Sequence, residues 1–200
     1  RRLAALARVA PVAVVSGRSR ADLLRRLGFV PSFAVGNHGA EDGSSPAHDD
    51  GALDDMRQRL ARAADRLARG GVWVEDKGLS LALHHRLAPD AAAAQRLVDD
   101  LLHGASPALR VFGGKAVHNL MPRGLPDKAD AVCALAQRCG AATALYAGDD
   151  VNDQPVFARA PPPWVTVQVG PAPPGCAARF QLNDQGRMAG LLGELLGRLT

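Results

Sequence analysis

The chain predicts an α/β protein: a Rossmann-like parallel-sheet core with an α+β unit inserted into it. Two observations carry this. The apolar runs "PVAVV", "ATALYA" and "WVTVQV" show no alternation and sit among helical patterns, as parallel strands covered on both faces do. Between the first and second of these runs the texture changes to helix, two strands, helix, two strands, the pattern of a compact antiparallel sheet with helices. The core is expected over residues 1–41 and 122–200 and the inserted unit over 53–120, with 42–52 and 121 as linkers.

In chain order, "RRLAALARVA" reads as the end of an amphipathic helix and "PVAVVSGRS" as a buried strand ending in a turn. "RADLLRRLGF" has helical spacing with a Gly near its end. "SFAVGNHGAE" is a second strand and loop, and the Gly, Ser, Asp and His that follow are a connection. "ALDDMRQRLARAADRLARG" predicts one long helix. "VWVEDKGLSLALHHR" predicts a hairpin around Asp-Lys-Gly, "PDAAAAQRLVDDLLHG" a helix, and "ALRVFGGKAVHNLMP" a hairpin around Gly-Gly. Then come a helix in "DKADAVCALAQRCG", the strand "ATALYA", a short helix in "DQPVFARA", the strand "WVTVQVG" and a last helix in "GRMAGLLGELLGRL". "PAPPG" is a stiff loop with no chemistry implied.

Composition excludes several classes. Net charge is only +4, aromatics are 4%, and the basic residues are scattered, so no nucleic-acid partner is expected. No apolar run reaches the ~18 residues of a membrane span. The opening is basic then apolar, like a signal peptide, but Ser16-Gly17-Arg18 and the amphipathic stretch after it argue against one. There is no initiator Met, so the chain is expected to begin inside a longer one. Cys133, Cys139 and Cys176 are odd in number and match no zinc spacing, which favours reduced thiols and the cytoplasm. A monomer is expected.

Of 24 basic residues only three are Lys: Lys77, Lys115 and Lys128. In a chain whose default cation is Arg, a Lys marks a place where a compact ammonium was needed, or falls there by chance. Lys128 opens a helix, where the dipole disfavours a cation by a few tenths of a kcal/mol or more. That implies an anion nearby, unless the side chain is simply solvated. Ser16-Gly17-Arg18 ends a strand and suits a phosphate on the following N–H groups, or a plain N-cap. In "GDDVND", Asp149, Asp150 and Asp153 follow a strand directly. They can offer Mg²⁺ one inner carboxylate and supporting outer ones. A helix N-terminus explains one or two of them, less well the third.

The order of Ser16-Gly17-Arg18, Lys128 and "GDDVND" resembles the second to fourth motifs of the haloacid dehalogenase (HAD) superfamily of phosphatases. Within it, "VVSGR", "GNHGAE", "VEDKGLSLALHHR", "GKAVHNLMP" and "GDDVNDQPVF" look like the trehalose-6-phosphate phosphatase family, in order and over nearly the whole chain. The resemblance implies a HAD-like core with a cap domain, a sugar-phosphate ligand and Mg²⁺. Ser16 and Lys128 would be catalytic, holding the phosphoryl group. Substrate contacts would come from Ser16, Gly17, Arg18, Asn37, His38 and Lys128, and from Glu75, Lys77, Lys115 and Asn119 on the cap. Asp149, Asp150 and Asp153 would serve the metal. Asn119 stands where the family usually has Glu, and "GDDxTDE" reads here with Asn152 and Gln154.

The superfamily's first motif, Asp-x-Asp-Gly-Thr, is not in these 200 residues. Its nucleophile is expected upstream of Arg1, on what would be the central strand of the sheet; without that strand its neighbours are expected to lack a partner. The function implied is hydrolysis of trehalose 6-phosphate to trehalose and phosphate. The alternatives are another HAD sugar-phosphate phosphatase, or a non-catalytic sugar-phosphate-binding or regulatory relative that lost its nucleophile.

Overall fold

A computed structural model of the protein describes residues 1–43, 51–114 and 116–200. They fall into two compact units, Arg1–Ser45 with Pro126–Thr200, and Pro46–Leu125.

The first unit opens with α1 (Arg2–Leu6) and β1 (Ala13–Val15). α2 (Arg20–Leu27) starts at Ser19, whose hydroxyl accepts the Asp22 N–H, and ends where Gly28 turns left-handed at φ 62°. β2 (Phe33–Val35) pairs parallel with β1.

In the second unit the predicted long helix is interrupted at Ala63 (φ −94°, ψ 6°), giving α3 (Asp54–Arg62) and α4 (Ala64–Arg69). The hydrophobic period runs through the break, so the pattern alone reads as one helix. β3 (Trp73–Asp76) and β4 (Leu81–His84) form the expected hairpin, and α5 (Ala91–Leu102) is capped by the Asp90 carboxylate. β5 (Leu109–Gly114) and β6 (Val117–Pro122) form the second hairpin. Gly113 and Gly114 lie within β5 rather than in the turn, and pair with His118 and Val117. Residue 121, expected as a linker, is the fully buried Met121 of β6, because pairing with β5 continues as far as Leu109 and Pro122. The expected linker 42–52 falls mostly outside the described residues. The antiparallel sheet has order β3-β4-β6-β5. Its helix-covered face contributes Leu81, Leu83, Leu109 and Leu120 to a core with Met56 and Leu60 of α3 and Val98 and Leu101 of α5. Each such fully buried side chain contributes roughly 1.5–3 kcal/mol.

The first unit then resumes with α6 (Lys128–Arg138), β7 (Leu145–Gly148), α7 (Gln154–Arg159), β8 (Val165–Val169), β9 (Phe180–Leu182) and α8 (Met188–Leu199). β9 was not legible in the sequence: three half-exposed to exposed residues after a Pro-rich loop carry no periodicity. The parallel strands form two sheets, β1-β2 and β7-β8-β9. Among the described strands, β1 and β7 each have one hydrogen-bonded neighbour. Both are apolar yet only half-buried or exposed, whereas β8 is buried from Thr166 onward. α6 lies against both: Val15 and Tyr146 pack on a cluster of Ala129, Val132, Val156 and Trp164. No helix among the described residues is long and apolar enough to cross a membrane.

Candidate active site

β1 runs directly into Ser16. The Ser16 N–H donates to the Val35 carbonyl at 2.9 Å, extending the pairing with β2 by one residue. The Ser16 hydroxyl accepts the Arg18 N–H at 3.2 Å, and its carbonyl accepts the His38 N–H at 2.9 Å. The strand end is thus tied to the loop Asn37–Gly39, which turns sharply. Asn37, His38 and Gly39 all have positive φ, at 45°, 57° and 116°. For Asn and His this costs of order 1 kcal/mol or more each. The loop is braced by Glu41, whose carboxylate accepts the Arg20 N–H at 2.8 Å and the Asn37 amide at 2.9 Å.

Two glycines explain why this loop is shaped so. A Cβ on Gly17 would stand 2.4 Å from the His38 ring. A Cβ on Gly39 would stand 2.1 Å from the Asp127 carbonyl oxygen and 2.9 Å from the Lys128 nitrogen. The loop is therefore wedged between Ser16-Gly17 and the first residues of α6. Asn37 and His38, expected as ligand contacts, are both buried in that wedge. Arg18, expected at the phosphate, pairs with Asp22 at 2.9 Å. Arg26, Arg25 and Arg18 together hold the Asp22 carboxyl far below the usual carboxylate range.

α6 is fixed by a capping box, in which Asp127 accepts the Asp130 N–H and Asp130 accepts the Asp127 N–H. Lys128 follows, and its Nζ lies 2.7 Å from Asp153 Oδ1. The anion that its unfavourable place on the dipole called for is Asp153. The pair is nearly out of solvent, with side chains 11% and 4% exposed. Asp153 takes two further donors: the Tyr146 hydroxyl at 2.7 Å on Oδ1 and the Asp150 N–H at 2.9 Å on Oδ2. Burial pushes the Asp153 carboxyl up. The Lys128 ammonium, with these hydrogen bonds, outweighs it and holds the group below its usual range. Gly148 makes room, since a Cβ there would stand 2.3 Å from the Asp153 Cγ.

The three aspartates expected at a metal have different surroundings. Both Asp153 oxygens accept hydrogen bonds, and the side chain anchors Lys128. Asp150 caps the turn at 151–153, its carboxylate accepting from Asn152. Asp149 is exposed at the end of β7. Among the described residues no group of three Asp, Glu, His or Cys side chains could hold a metal ion. Judged against octahedral oxygen coordination, the residues present fit Mg²⁺ only in part, with Asp149 as the carboxylate best placed to contribute. Gln154 donates to the buried Gln168 of β8 at 3.0 Å.

The remaining expected residues lie on the second unit. Glu75, Ala82 and Asn119 are in register across β3, β4 and β6, so Glu75 and Asn119 share a face with a small residue between. Two strand spacings put their backbones about 10 Å apart. His84 Nε2 lies 3.0 Å from Glu75 Oε2, and Trp73 stacks on His84 with ring centroids 4.9 Å apart. Lys77 Nζ is 3.8 Å from the same Glu75 oxygen. His85 and His118 sit on the opposite face, where Gln95 of α5 meets the His118 ring at 3.2 Å. Lys115 lies outside the described residues. Sequence reasoning missed Tyr146; its one signal was being the sole Tyr of the chain, in the strand that leads into the acidic cluster.

Comparison with known proteins locates these features. The Trehalose-phosphatase family model matches residues 1–167. A trehalose-phosphate phosphatase of Mycolicibacterium paratuberculosis is 37% identical over 174 residues, covering 77% of this chain and 43% of the relative. One from Mycobacterium marinum is 30% identical over 210 residues, covering 98% of this chain and 54% of the relative. The chain thus spans about half the length of the curated relatives it matches. The C-terminal domain of Candida albicans trehalose-6-phosphate phosphatase superposes with a TM-score of 0.80 at 21% identity, over 100% of this chain and 83% of that one. At 21% identity that likeness shows a shared α/β fold.

Proposed function

Because the chain belongs to the trehalose-phosphatase family, we propose that its protein hydrolyses trehalose 6-phosphate to trehalose and inorganic phosphate. The observation that carries this reading is the buried Lys128–Asp153 pair, with Asp153 just past the C-terminal end of β7 and Ser16 at that of β1, tied to a loop packed on the start of α6. The C-terminal ends of parallel strands are where open α/β sheets bind ligands. Ser16 turns its hydroxyl proton to the phosphoryl oxygens. An ammonium has three N–H donors, and one is spent on Asp153. Lys128 turns the others to the phosphoryl group and stabilises the charge that spreads over its oxygens. The attacking carboxylate belongs to a segment upstream of Arg1. Asp149 is this chain's contribution to holding Mg²⁺, which when bound neutralises phosphoryl charge. Glu75, Lys77, Lys115 and Asn119 read the sugar hydroxyls through charge-assisted and amide hydrogen bonds.

A second reading, a phosphatase for another sugar phosphate, is favoured by Asn119, an amide where the family usually carries Glu. One assay separates the two. The full-length protein with Mg²⁺ is offered trehalose 6-phosphate, sucrose 6-phosphate and glucose 6-phosphate, and phosphate release is followed with and without EDTA. Fastest release from trehalose 6-phosphate, abolished by EDTA, is expected. Preference for another sugar sinks the first reading, and no release from any of them sinks both.

A further inference from the structure

Tyr146 shares a single acceptor atom with Lys128. Its hydroxyl and the Lys128 ammonium each lie 2.7 Å from Asp153 Oδ1, while the Asp150 N–H holds Oδ2 at 2.9 Å. The ring is wedged edge-on against Phe157, centroids 5.8 Å apart and planes at 70°. It sits on β7, so its hydroxyl position is set by a strand and not by a loop. A lysine has four flexible methylenes and satisfies its charge against any nearby carboxylate. An aspartate held only by that lysine could swing with it. With a strand-borne donor on the same oxygen and a backbone N–H on the other, the carboxylate has one orientation left.

We propose that Tyr146 is a positioning residue of the phosphoryl-transfer site: its hydroxyl locks the Asp153 carboxylate, which in turn holds the Lys128 ammonium where the phosphoryl oxygens bind. The inference rests on the phosphatase reading above. Tyr146 takes no part as an acid or base. Burial, then the Asp153 charge, push its phenol far above the usual range, so it stays a donor at every working pH.

The test is Tyr146→Phe in the full-length protein, which keeps the ring and removes the donor. Loss of one charge-assisted hydrogen bond and a small misplacement of the ammonium predict a kcat lower by about tenfold. Inorganic phosphate should become a several-fold weaker product inhibitor, while inhibition by trehalose is unchanged. A residue that merely fills the core would move both inhibition constants together or neither. Wild-type kcat and wild-type phosphate inhibition in the variant overturn the proposal. So does an equal shift of the phosphate and trehalose constants. A second comparison covers a poorly folding variant: Tyr146→Phe placed on an Asp153→Asn background should cost little more than Asp153→Asn alone, because Tyr146 acts through that carboxylate. Full additivity overturns the proposal. If wild-type protein released no phosphate from trehalose 6-phosphate, the substrate reading alone would fall. Calorimetric phosphate affinity of the two proteins would then decide the role of Tyr146.

Discussion

Taking Lys128 and Asp153 out of water costs several kcal/mol per ion, and their contact recovers it only because the Tyr146 hydroxyl and the Asp150 N–H also donate to Asp153. Breaking one side therefore hurts more than removing both. Lys128→Met should lower unfolding free energy by about 3–5 kcal/mol, measured by urea denaturation, because a buried carboxylate loses its counter-charge. The double variant Lys128→Met/Asp153→Asn should lose clearly less than the sum of the single losses; simple additivity would show that the pair is not coupled. Gly148→Ala strikes the same spot differently. Its new Cβ meets the Asp153 carboxylate at 2.3 Å, so either strand or carboxylate must shift. Overpacking of this kind costs typically 1–3 kcal/mol. Phosphatase activity should fall with it, and a fully active, equally stable Gly148→Ala would contradict the geometry. At this scale the sequence was half legible. Lys rarity and the helix dipole singled out Lys128 and its need for an anion. They could not tell a metal-facing aspartate from an anchoring one, because spacing fixes where a carboxylate leaves the chain and not where it points. Tyr146, inside an apolar strand, reads as core.

Among elements, the second unit's sheet shows how a two-residue period sorts chemistry onto faces. Glu75, Asn119 and His84 fall on one face, and the neighbouring His85 and His118 on the other, against α5. The strand period by itself puts His85 opposite its neighbour His84, while the break at Ala63 was not legible, since the hydrophobic period runs through it. His85 is buried, its Nδ1 has no hydrogen-bond partner among the described residues, and its ring centroid is 5.5 Å from that of His118. Burial, then the charge of His118, push its pKa below the usual histidine value, with Asp99 opposing and His84 adding to the depression. The folded state then resists a proton that the unfolded chain accepts. Stability is therefore complete above the unfolded pKa of about 6.5 and falls as pH drops below it toward the folded pKa. Thermal melts of wild type and His85→Gln from pH 7.5 to 5 test this: the wild-type midpoint should drop more steeply with acid. Parallel pH profiles would remove His85 as the cause.

At the scale of the first unit, the informative feature is that parallel strands arrive as two sheets. β1 uses one edge against β2 and β7 one edge against β8, and both strands are less buried than their apolar sequences warrant. α6 lies against both, with Val15 and Tyr146 on one cluster. A doubly wound sheet is normally continuous and covered on both faces. This was legible beforehand in one respect: the Asp-x-Asp-Gly-Thr motif that the resemblance leads one to expect on a strand is not among residues 1–200. A parallel strand seated between β1 and β7 would satisfy both outer edges, cover their half-buried side chains and bring its carboxylates beside Asp149 and Lys128. Hydrogen exchange can see that strand. In the full-length protein the alternate amides of β1 and β7 that point away from β2 and β8 should exchange at least ~10²-fold more slowly than in the 200-residue chain. Amides already bonded to β2 and β8 should change far less, apart from a uniform gain in global stability. The same comparison should show activity on trehalose 6-phosphate only in the longer chain. Equal exchange of the outer amides in both proteins would mean that nothing pairs there, and the catalytic carboxylate would have to reach the site from a loop instead of a strand.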